Sequence, residues 1–340
     1  MQHAKQPFFN RGRRALLALS AGIACAALTT GSALAQAPAW PTKPIRFVVG
    51  WPPGGGTDAV ARMVAERLST RLGQNVVIEN RAGANAKIGT ALAKQAAPDG
   101  YTFLFHAEYE LPPVTLSAPL GSKYSSFDPL KTLEPAGIVG RGPYILVTSA
   151  TFQGSTLSDL LAFAKKNPGK LNYGSFGTGS ISHLLTELLN LNEGIQTVEI
   201  PYQGTAPLLA ALTAGQVDFA FVTPTSALPL VKAGRLKGIA VLSPQRLPGL
   251  DIPTMAESGK PTFNGGSWYA VLAPAGTPKA IVDRLNAEMR DVVASADLKQ
   301  AFERVNIVPL STTPEGMEKT FASELVKRRQ LASHLNIDVE

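Results

Sequence analysis

The chain has 340 residues, of which 45% are hydrophobic and 17% are charged. This balance excludes an intrinsically disordered protein, and the length is sufficient for two domains that each bury a core. The formal net charge is +7, and four of the basic residues that contribute to it lie within the first 14 residues. The rest of the sequence has no cluster of Lys and Arg interleaved with aromatic residues, which argues against a nucleic-acid partner.

The N-terminus has the features of a secretory signal peptide over residues 1–35. Basic residues precede an apolar run at 15–28, and Ala33-Leu34-Ala35 forms a small-residue cleavage site. The run is shorter than the ~20 residues that span a bilayer, so a retained membrane anchor is the less favoured alternative. We expect cleavage after Ala35. The pair Arg13-Arg14 leaves twin-arginine export open beside general secretion.

Cleavage changes the charge and the cysteine content of the mature chain. Removing the four basic residues of the leader from 32 Lys and Arg leaves 28, against 25 Asp and Glu, for a net charge of +3. The single cysteine, Cys25, lies inside the leader. The mature chain is therefore predicted to form no disulfide and to have no cysteine nucleophile.

From residue 45 onward, short apolar runs alternate with amphipathic stretches. A strand at 45–49, a helix at 58–72 with apolar side chains on one face, and a strand at 76–79 predict a parallel β-α-β unit. The pattern continues with strands at 101–105, 144–148, 171–174, 198–200, 217–222, 238–242 and 268–272, and with helices that begin near residues 156, 180, 206, 224, 278 and 314. The predicted fold class is α/β.

Two of the predicted strands have the character of crossings between domains. The strand at 144–148 follows Gly140, Gly142 and Pro143, and the strand at 268–272 follows Gly265-Gly266. Paired extended crossings form a hinge. We therefore predict a discontinuous first domain of residues 37–142 plus 265–340, a second domain of residues 143–264, and a cleft between them.

A glycine-rich loop, Pro52-Pro53-Gly54-Gly55-Gly56-Thr57-Asp58, connects the first strand to the first helix. Glycines let the backbone approach a ligand, and the helix N-terminus presents N–H groups with partial positive charge, so the loop suits an anion. A tight turn capped by Thr57 or Asp58, without a ligand, is the alternative. The run also satisfies G-x-G-x-x-A with Glu79 following, but the prolines, Asp58 and the predicted export argue against a dinucleotide.

A second glycine-rich loop at 174–180 again lies between a strand and a helix. It carries the hydroxyl groups of Ser175, Thr178 and Ser180, and His183 follows in the first helical turn. Two such helix starts on opposing domains would hold the two ends of a small anion. For His183, a structural role and a ligand contact are equally compatible with the sequence.

Sequence motifs for catalysis are scarce. The sequence contains no G-x-S-x-G, no H-E-x-x-H and no closely spaced Cys/His/Asp cluster, and His106, His183 and His334 are the histidines that follow the leader. We therefore predict a protein that is not an enzyme, with no metal and no cofactor. Glu108 and Glu110 form a carboxylate pair at a strand end, for which solvation is the default role.

Eight motifs in chain order resemble the Bug family, the solute-binding proteins of tripartite tricarboxylate transporters, over the whole mature chain. They are Trp40-Pro41-Thr42-Lys43-Pro44-Ile45, the 52–58 loop, Glu79-Asn80-Arg81 with Gly83, Pro98-Asp99-Gly100-Tyr101-Thr102, residues 174–183, Pro201-Tyr202-Gln203-Gly204, Gly215-Gln216-Val217-Asp218 and Ala273-Pro274-Ala275-Gly276-Thr277-Pro278. The resemblance implies a two-domain periplasmic-binding-protein (Venus flytrap) architecture, with two mixed sheets flanked by helices and a two-strand hinge.

The resemblance also implies a function, partners and a site. The protein would be periplasmic and monomeric, would capture a small organic acid or amino-acid-like solute, and would deliver it to the membrane components of the transporter. The predicted ligand contacts are Trp51, Gly54, Gly55, Gly56, Thr57, Asp58, Ala84, Glu108, Ser175, Phe176, Thr178, Gly179, Ser180, His183, Tyr202 and Thr223. The alternatives are a ligand-sensing partner of a membrane signalling protein and an exported hydrolase or lyase that uses Glu108, Glu110 and His183.

The chain departs from the family pattern around the predicted site. Gly83-Ala84-Asn85-Ala86-Lys87 replaces a glycine-rich run, His106-Ala107-Glu108-Tyr109-Glu110 replaces small polar residues, and Trp51 stands where Phe is usual. We hypothesise that Glu108, Glu110 or both face the cleft and select a ligand with an amino or other cationic group beside its carboxylate.

Overall fold

The structure is a computed structural model that describes residues 40–84, 86–110 and 132–335. The described residues from Pro41 onward belong to one compact unit. The predicted signal peptide at 1–35, Asn85 and the side chains of Glu108, Glu110 and His334 lie outside what the structure describes.

Two β-sheets and the helices on their faces make up the described chain. The strands are β1 (Ile45–Val49), β2 (Val76–Asn80), β3 (Thr102–Glu110), β4 (Leu133–Pro143), β5 (Ile145–Ser149), β6 (Asn172–Ser175), β7 (Val198–Pro201), β8 (Phe219–Val222), β9 (Leu236–Val241), β10 (Gly266–Pro274) and β11 (Val308–Pro309). The helices are α1 (Gly56–Leu72), α2 (Lys87–Lys94), α3 (Leu157–Lys166), α4 (Ile181–Glu193), α5 (Thr205–Thr213), α6 (Pro224–Lys232), α7 (Lys279–Ala294), α8 (Ala296–Arg304) and α9 (Pro314–Leu335).

The first sheet has the strand order β11-β4-β10-β3-β1-β2. Strand β1 pairs in parallel with β2 and β3, whereas β10 pairs antiparallel with β3 and β4. The parallel part follows from the predicted β-α-β unit: α1 buries Val60, Val64 and Leu68, which repeat every fourth residue on one face, and ends at Gly73 with a φ of 65°.

The second sheet has the strand order β7-β6-β8-β5-β9. Strand β6 pairs in parallel with β7 and β8, and β5 pairs antiparallel with β8 and β9. Both sheets are therefore mixed, and the predicted α/β class with two mixed sheets is confirmed.

The chain passes between the sheets through two segments that meet. Strand β4 ends at Pro143 in the first sheet and β5 begins at Ile145 in the second, so Tyr144 makes the crossing. The returning strand β10 begins at Gly266, which pairs with Pro143. A Cβ at Gly266 would lie 2.4 Å from the carbonyl oxygen of Gly142, so glycine permits this close approach. The proposed residue limits of the two domains stay a prediction.

Several elements were not predicted from the sequence. Helices α2 and α8 and strands β4 and β11 were missed, and β3 continues to Glu110 rather than ending near residue 105. In β4, glycines obscure the strand pattern because α8 and the segment after it pack closely against the backbone: a Cβ at Gly140 would lie 2.9 Å from Phe302 of α8, and one at Gly142 would lie 2.6 Å from Ile307.

Each sheet has its own hydrophobic core, and α9 contributes to both. Met317, Phe321 and Leu325 pack in the first-sheet core, whereas Leu331, about 1.7 turns further on, belongs to the second-sheet core. The C-terminal helix is thus a third connection between the two parts of the molecule, in addition to the two crossing segments.

Candidate ligand-binding site

The loop after β1 is shaped by the carboxylate of Asp58. Its Oδ2 accepts hydrogen bonds from Gly54 N and Arg62 Nε, both at 3.0 Å, and its Oδ1 accepts from Arg62 Nη2 and from Asn80 Nδ2, both at 2.9 Å. Burial acts to raise the pKa of Asp58, but the hydrogen bonds from Arg62, Gly54 and Asn80 outweigh it and leave the pKa below its ordinary value. Asp58 therefore holds the loop as a charged group engaged by its own chain.

A small cavity lies between the two sheets, with a volume of about 20 Å³. Residues on the first-sheet side and on the second-sheet side both contribute to its walls. They are Trp51, Pro52, Gly55, Gly56, Thr57, Ala107 and Ser267, together with Tyr144, Phe176, Thr205, Ala206 and Thr223. A volume of this size holds about one water molecule, so the two sides are in contact.

Three helices begin at this cavity, and none of the three has a side-chain cap. The N-cap residues are Gly55 for α1, Gly204 for α5 and Thr223 for α6. The first N–H groups of a helix have no partner within the helix and carry partial positive charge, so uncapped starts favour an anion. In α6 the first residue is Pro224, which has no N–H, so its donors begin at Thr225. The starts of α1 and α6 are in direct contact, since a Cβ at Gly56 would lie 2.6 Å from Thr223 Oγ1.

The second glycine-rich loop contributes one residue, Phe176, to the cavity wall. Its polar groups bond to neighbouring parts of the same sheet and helix. Ser175 Oγ donates to Glu199 Oε1 at 2.5 Å, and Thr178 Oγ1 donates to Glu199 Oε2 at 3.2 Å. Helix α4, which follows this loop, is capped by Ser180, whose Oγ accepts from His183 N. On the second-sheet side, the helices that begin at the cavity are α5 and α6, not α4.

His183 stabilises the same loop through a hydrogen bond to its backbone. Its Nδ1 accepts a hydrogen bond from Gly179 N at 2.9 Å, which places the proton of the neutral ring on Nε2, 3.7 Å from Glu199 Oε2. The ring stacks on Tyr173 with an interplanar angle of 14°. Burial lowers the pKa of His183, while Glu199 and Glu187 act in the opposite direction. The neutral ring is therefore part of the loop's internal structure.

The structure brings some of the predicted contacts together and places others elsewhere. Trp51, Gly55, Gly56, Thr57, Phe176 and Thr223 line the cavity. The others bond to their own chain: Gly54 and Asn80 donate to Asp58, Ser175 and Thr178 donate to Glu199 on β7, Gly179 donates to His183, and Ser180 caps α4. Tyr202 packs against the second-sheet core, and Ala84 has a φ of 48° in the turn before α2. Glu108 belongs to β3, beside Ala107 of the cavity wall, but its side chain is not described. The role of each residue in binding stays a prediction.

Six cavity residues were missed by sequence reasoning: Pro52, Ala107, Tyr144, Thr205, Ala206 and Ser267. A signal for Thr205 and Ala206 was present, because Tyr202-Gln203-Gly204-Thr205 joins a strand to a helix as the first loop does. Tyr144 and Ser267 lie in or next to the predicted crossings, and Ser267 Oγ donates to Tyr144 Oη at 3.1 Å. Their position between the sheets was the available signal.

None of the helices in residues 40–84, 86–110 and 132–335 combines the length and apolar character that crossing a membrane requires. Within the same ranges, no group of three or more His, Cys, Asp or Glu side chains is arranged to hold a metal ion.

Two mixed sheets joined by paired crossings, with a cavity lined from both sides, are the architecture of a solute-binding protein. The chain belongs to the tripartite tricarboxylate transporter receptor family, whose family model matches residues 60–337. BugT of Bordetella pertussis is 36% identical over 296 residues, which cover 85% of this chain and 88% of that protein. The predicted family and the function as a solute-binding protein are thereby confirmed.

Solved structures of related proteins have the same fold. The structure of Rhodopseudomonas palustris Rpa4515 with adipate has a TM-score of 0.80 and 31% identity, and the match covers 88% of this chain and 99% of that chain. MatC from the same organism, with bound malate, has a TM-score of 0.75 and 27% identity, with coverage of 86% and 99%. The family is one of solute-binding receptors, not of enzymes.

Proposed function

We propose that this protein captures a small carboxylate-bearing solute in the cavity between its sheets and delivers it to the membrane components of a tripartite transporter. The observation that carries the proposal is the convergence of the uncapped starts of α1, α5 and α6 on one cavity. Family membership and the adipate and malate in the structures of two relatives support it.

The cavity walls offer hydrogen-bond donors for the carboxylate of such a solute and an apolar surface for its hydrocarbon part. Helix-start N–H groups and the hydroxyl groups of Thr57, Thr205 and Thr223 supply donors for carboxylate oxygens. Trp51 and Phe176 supply an apolar surface for a short hydrocarbon segment. Recognition by neutral donors and partial charges needs no fixed cation, and the described lining residues include no charged side chain.

Entry of the solute requires the two sides of the cavity to separate. Trp51 and Phe176 touch edge to face across it, with ring centroids 6.1 Å apart, and Gly56 lies against Thr223. These contacts correspond to a closed arrangement with room for about one water molecule, so the two sides lie further apart around a bound solute. We propose that residues 37–142 plus 265–340 move against residues 143–264 about the paired crossings, so that closure assembles the site.

We also propose that the mature protein works as a monomer in the periplasm after removal of residues 1–35. The family and its structural relatives are periplasmic binding proteins, which agrees with the basic and apolar pattern of the leader. The mass of the exported protein identifies the cleavage site, which we expect after Ala35, and light scattering measures the oligomeric state.

A ligand screen tests the proposed function. Adipate, malate, citrate and glutamate are added to the mature protein while its thermal unfolding is followed, and binding is quantified by calorimetry. A carboxylate at about 100 times its dissociation constant should stabilise the protein by ~2.7 kcal/mol. Absence of stabilisation and of binding heat for every carboxylate would contradict the proposal.

Matched threonine variants link binding to this cavity. Thr223→Val removes a hydroxyl group at the start of α6 and should weaken carboxylate binding roughly tenfold, the effect of one lost hydrogen bond. Thr70→Val, on the exposed side of α1, is the control and should bind like the wild type. Delivery is then measured as uptake of labelled solute into vesicles that contain the transporter's membrane components, with and without this protein.

A further inference from the structure

A groove outside the solute cavity is formed by two adjoining cavities, with volumes of about 800 Å³ and about 510 Å³. The two cavities share Pro248, Glu303 and Asn306 in their walls, whereas they share no lining residue with the solute cavity. A pocket for a small molecule typically measures about 300–1,000 Å³. The joined groove is therefore large enough for a ligand longer than a single small solute.

The walls of the groove come from both sides of the molecule. Residues 243–248, which follow β9, line it from the second-sheet side, and residues 306–309 line it from the first-sheet side. Thr225 Oγ1, at the start of α6, donates a hydrogen bond to Val305 O at 3.0 Å and so joins the two walls. Prolines in both walls have a fixed φ, so the groove is preformed and loses little conformational entropy on binding.

An edge of the first sheet borders the groove. Strand β11 is the outermost described strand of that sheet and pairs with β4 on one side only. Its Val308 lines the groove and is 57% exposed, and Leu247 lines the opposite wall. An edge strand offers backbone hydrogen-bonding groups to another extended chain, and the apolar side chains give that chain a surface to pack on. The groove therefore suits an extended peptide with apolar side chains.

Basic side chains dominate the charge of the groove. Its described lining includes the exposed side chains of Lys232, Arg246, Lys299 and Arg304, against the carboxylate of Glu303. Arg246 is engaged by two carboxylates of its own chain. The other three basic groups form no ion pair within the part of the chain that the structure describes. A partner with complementary charge is therefore acidic.

We propose that this groove binds an extended acidic segment of a partner protein. Carboxylates of the segment face Lys232, Lys299 and Arg304, and its apolar side chains pack on Leu247 and Val308. The groove shares no lining residue with the solute cavity, so the proposal goes beyond the proposed function and does not depend on it.

Fluorescence anisotropy with designed peptides tests the proposal on the mature protein in the absence of any solute. The probe is a short labelled peptide in which glutamate and valine alternate. One control peptide has lysine in place of glutamate, and the other has serine in place of valine. We expect the probe to bind about tenfold more tightly than either control, because each control lacks one of the two complementary features. Added NaCl should weaken binding of the probe.

Charge-reversal variants locate the binding. Lys232→Glu/Lys299→Glu places two carboxylates in the groove and should weaken binding of the probe about tenfold. Lys166→Glu/Lys170→Glu is the matched control, because it makes the same change in net charge at exposed lysines. These lysines precede β6, whereas residues 243–248 follow the end of β9, which runs in the same direction as β6. The control pair therefore lies at the other end of the second sheet and should bind the probe like the wild type.

Glu303→Gln should have an effect of the opposite sign. It removes a carboxylate that lines both cavities and repels the probe, so the probe should bind about threefold more tightly. Partial unfolding weakens binding, so it does not account for a gain in affinity. Unfolding temperatures without probe confirm that all the variants are folded.

Equal binding of the three peptides overturns the proposal, and so does an equal loss of affinity in the two double variants. Vesicles of phosphatidylglycerol test a membrane surface as the partner instead. If the vesicles bind the wild type but not Lys232→Glu/Lys299→Glu, and the probe binds neither protein, a peptide partner is wrong. None of these results changes the proposed function, which the carboxylate screen tests separately.

Discussion

At the residue scale, Gly56 shows how closely the two sides of the cavity approach. It is the first residue of α1, and Thr223 at the start of α6 occupies the space where a side chain would project. Its neighbour Gly55 has an extended backbone, with φ of −78° and ψ of 167°, and a Cβ there would meet only Pro52 O at an ordinary 3.6 Å. Of these two adjacent glycines, Gly56 permits the close contact between the two sides, whereas at Gly55 a side chain would have room.

Gly56→Ala should therefore prevent full closure. The added methyl group would lie 2.6 Å from Thr223 Oγ1, which is closer than any stable contact. We expect carboxylate affinity to fall tenfold or more, measured by calorimetry. Gly55→Ala is the matched control and should bind nearly as well as the wild type. The double variant Gly56→Ala/Thr223→Ala should recover part of the loss, and equal affinity of Gly56→Ala and wild type would contradict the closed arrangement.

Sequence reasoning found the glycine run of this loop but could not assign its polar neighbours. Asp58 was predicted as a ligand contact, and the structure shows its carboxylate engaged by Gly54, Arg62 and Asn80. In a sequence, a carboxylate at a helix start is compatible both with binding a ligand and with bonding to its own chain. Asn80 is more than twenty positions away, and only folding brings it to Asp58.

At the scale of elements, the loop after β6 and the helix α4 form one hydrogen-bonded unit. Glu199 on β7 accepts from Ser175 and Thr178, and His183 accepts from Gly179. The unit positions Phe176 in the cavity wall. The two glycine-rich loops look alike in sequence, yet the helix after the first is uncapped and the helix after the second is capped by Ser180.

Acid should weaken this unit. A proton on His183 Nδ1 abolishes the bond from Gly179, and burial lowers the pKa of His183 from its ordinary 6.5 in the folded protein. As the pH falls below 6.5, the unfolded chain binds the proton first, so the free energy of unfolding decreases until the folded pKa is reached. Urea unfolding at a series of pH values measures this decrease.

The control for the pH series is His183→Gln, which does not titrate. Its free energy of unfolding should depend less on pH than that of the wild type in the interval below pH 6.5. Other histidines contribute equally to both proteins. Parallel pH profiles for the two proteins would show that His183 has the same proton affinity in the folded and unfolded chain.

At the scale of the whole molecule, α9 connects the two cores. Its first half packs on the first sheet through Met317, Phe321 and Leu325, and Leu331 is fully buried in the second-sheet core. Movement between the two sides must therefore be accommodated by this helix as well as by the crossings at Tyr144 and Gly266. The sequence suggested only the two strand crossings.

Leu331→Ala tests the connection. Removing a fully buried leucine side chain typically costs ~2–5 kcal/mol, and here the loss falls on the contact between α9 and the second-sheet core. We expect that decrease in the free energy of unfolding and a broader urea transition, because the two cores become less coupled. Val326→Ala, on the same helix with 48% exposure, is the control and should change stability by less than ~1 kcal/mol. Equal effects of the two substitutions would contradict the role of α9.

The sequence by itself determined the class of fold, the family and the first glycine-rich loop, because these depend on local periodicity and on motifs read in order along the chain. Tertiary structure decided which helix starts reach the cavity, since the starts of α1, α5 and α6 come together only where the two sides approach, and the polar groups of the second glycine-rich loop bond to the distant Glu199 instead. It also decided that β4 is a strand despite its glycines, because α7, α8 and β11 pack against its backbone. Short-range sequence patterns predict helices and strands. Contacts between residues distant in sequence decide which polar groups remain free to bind a ligand.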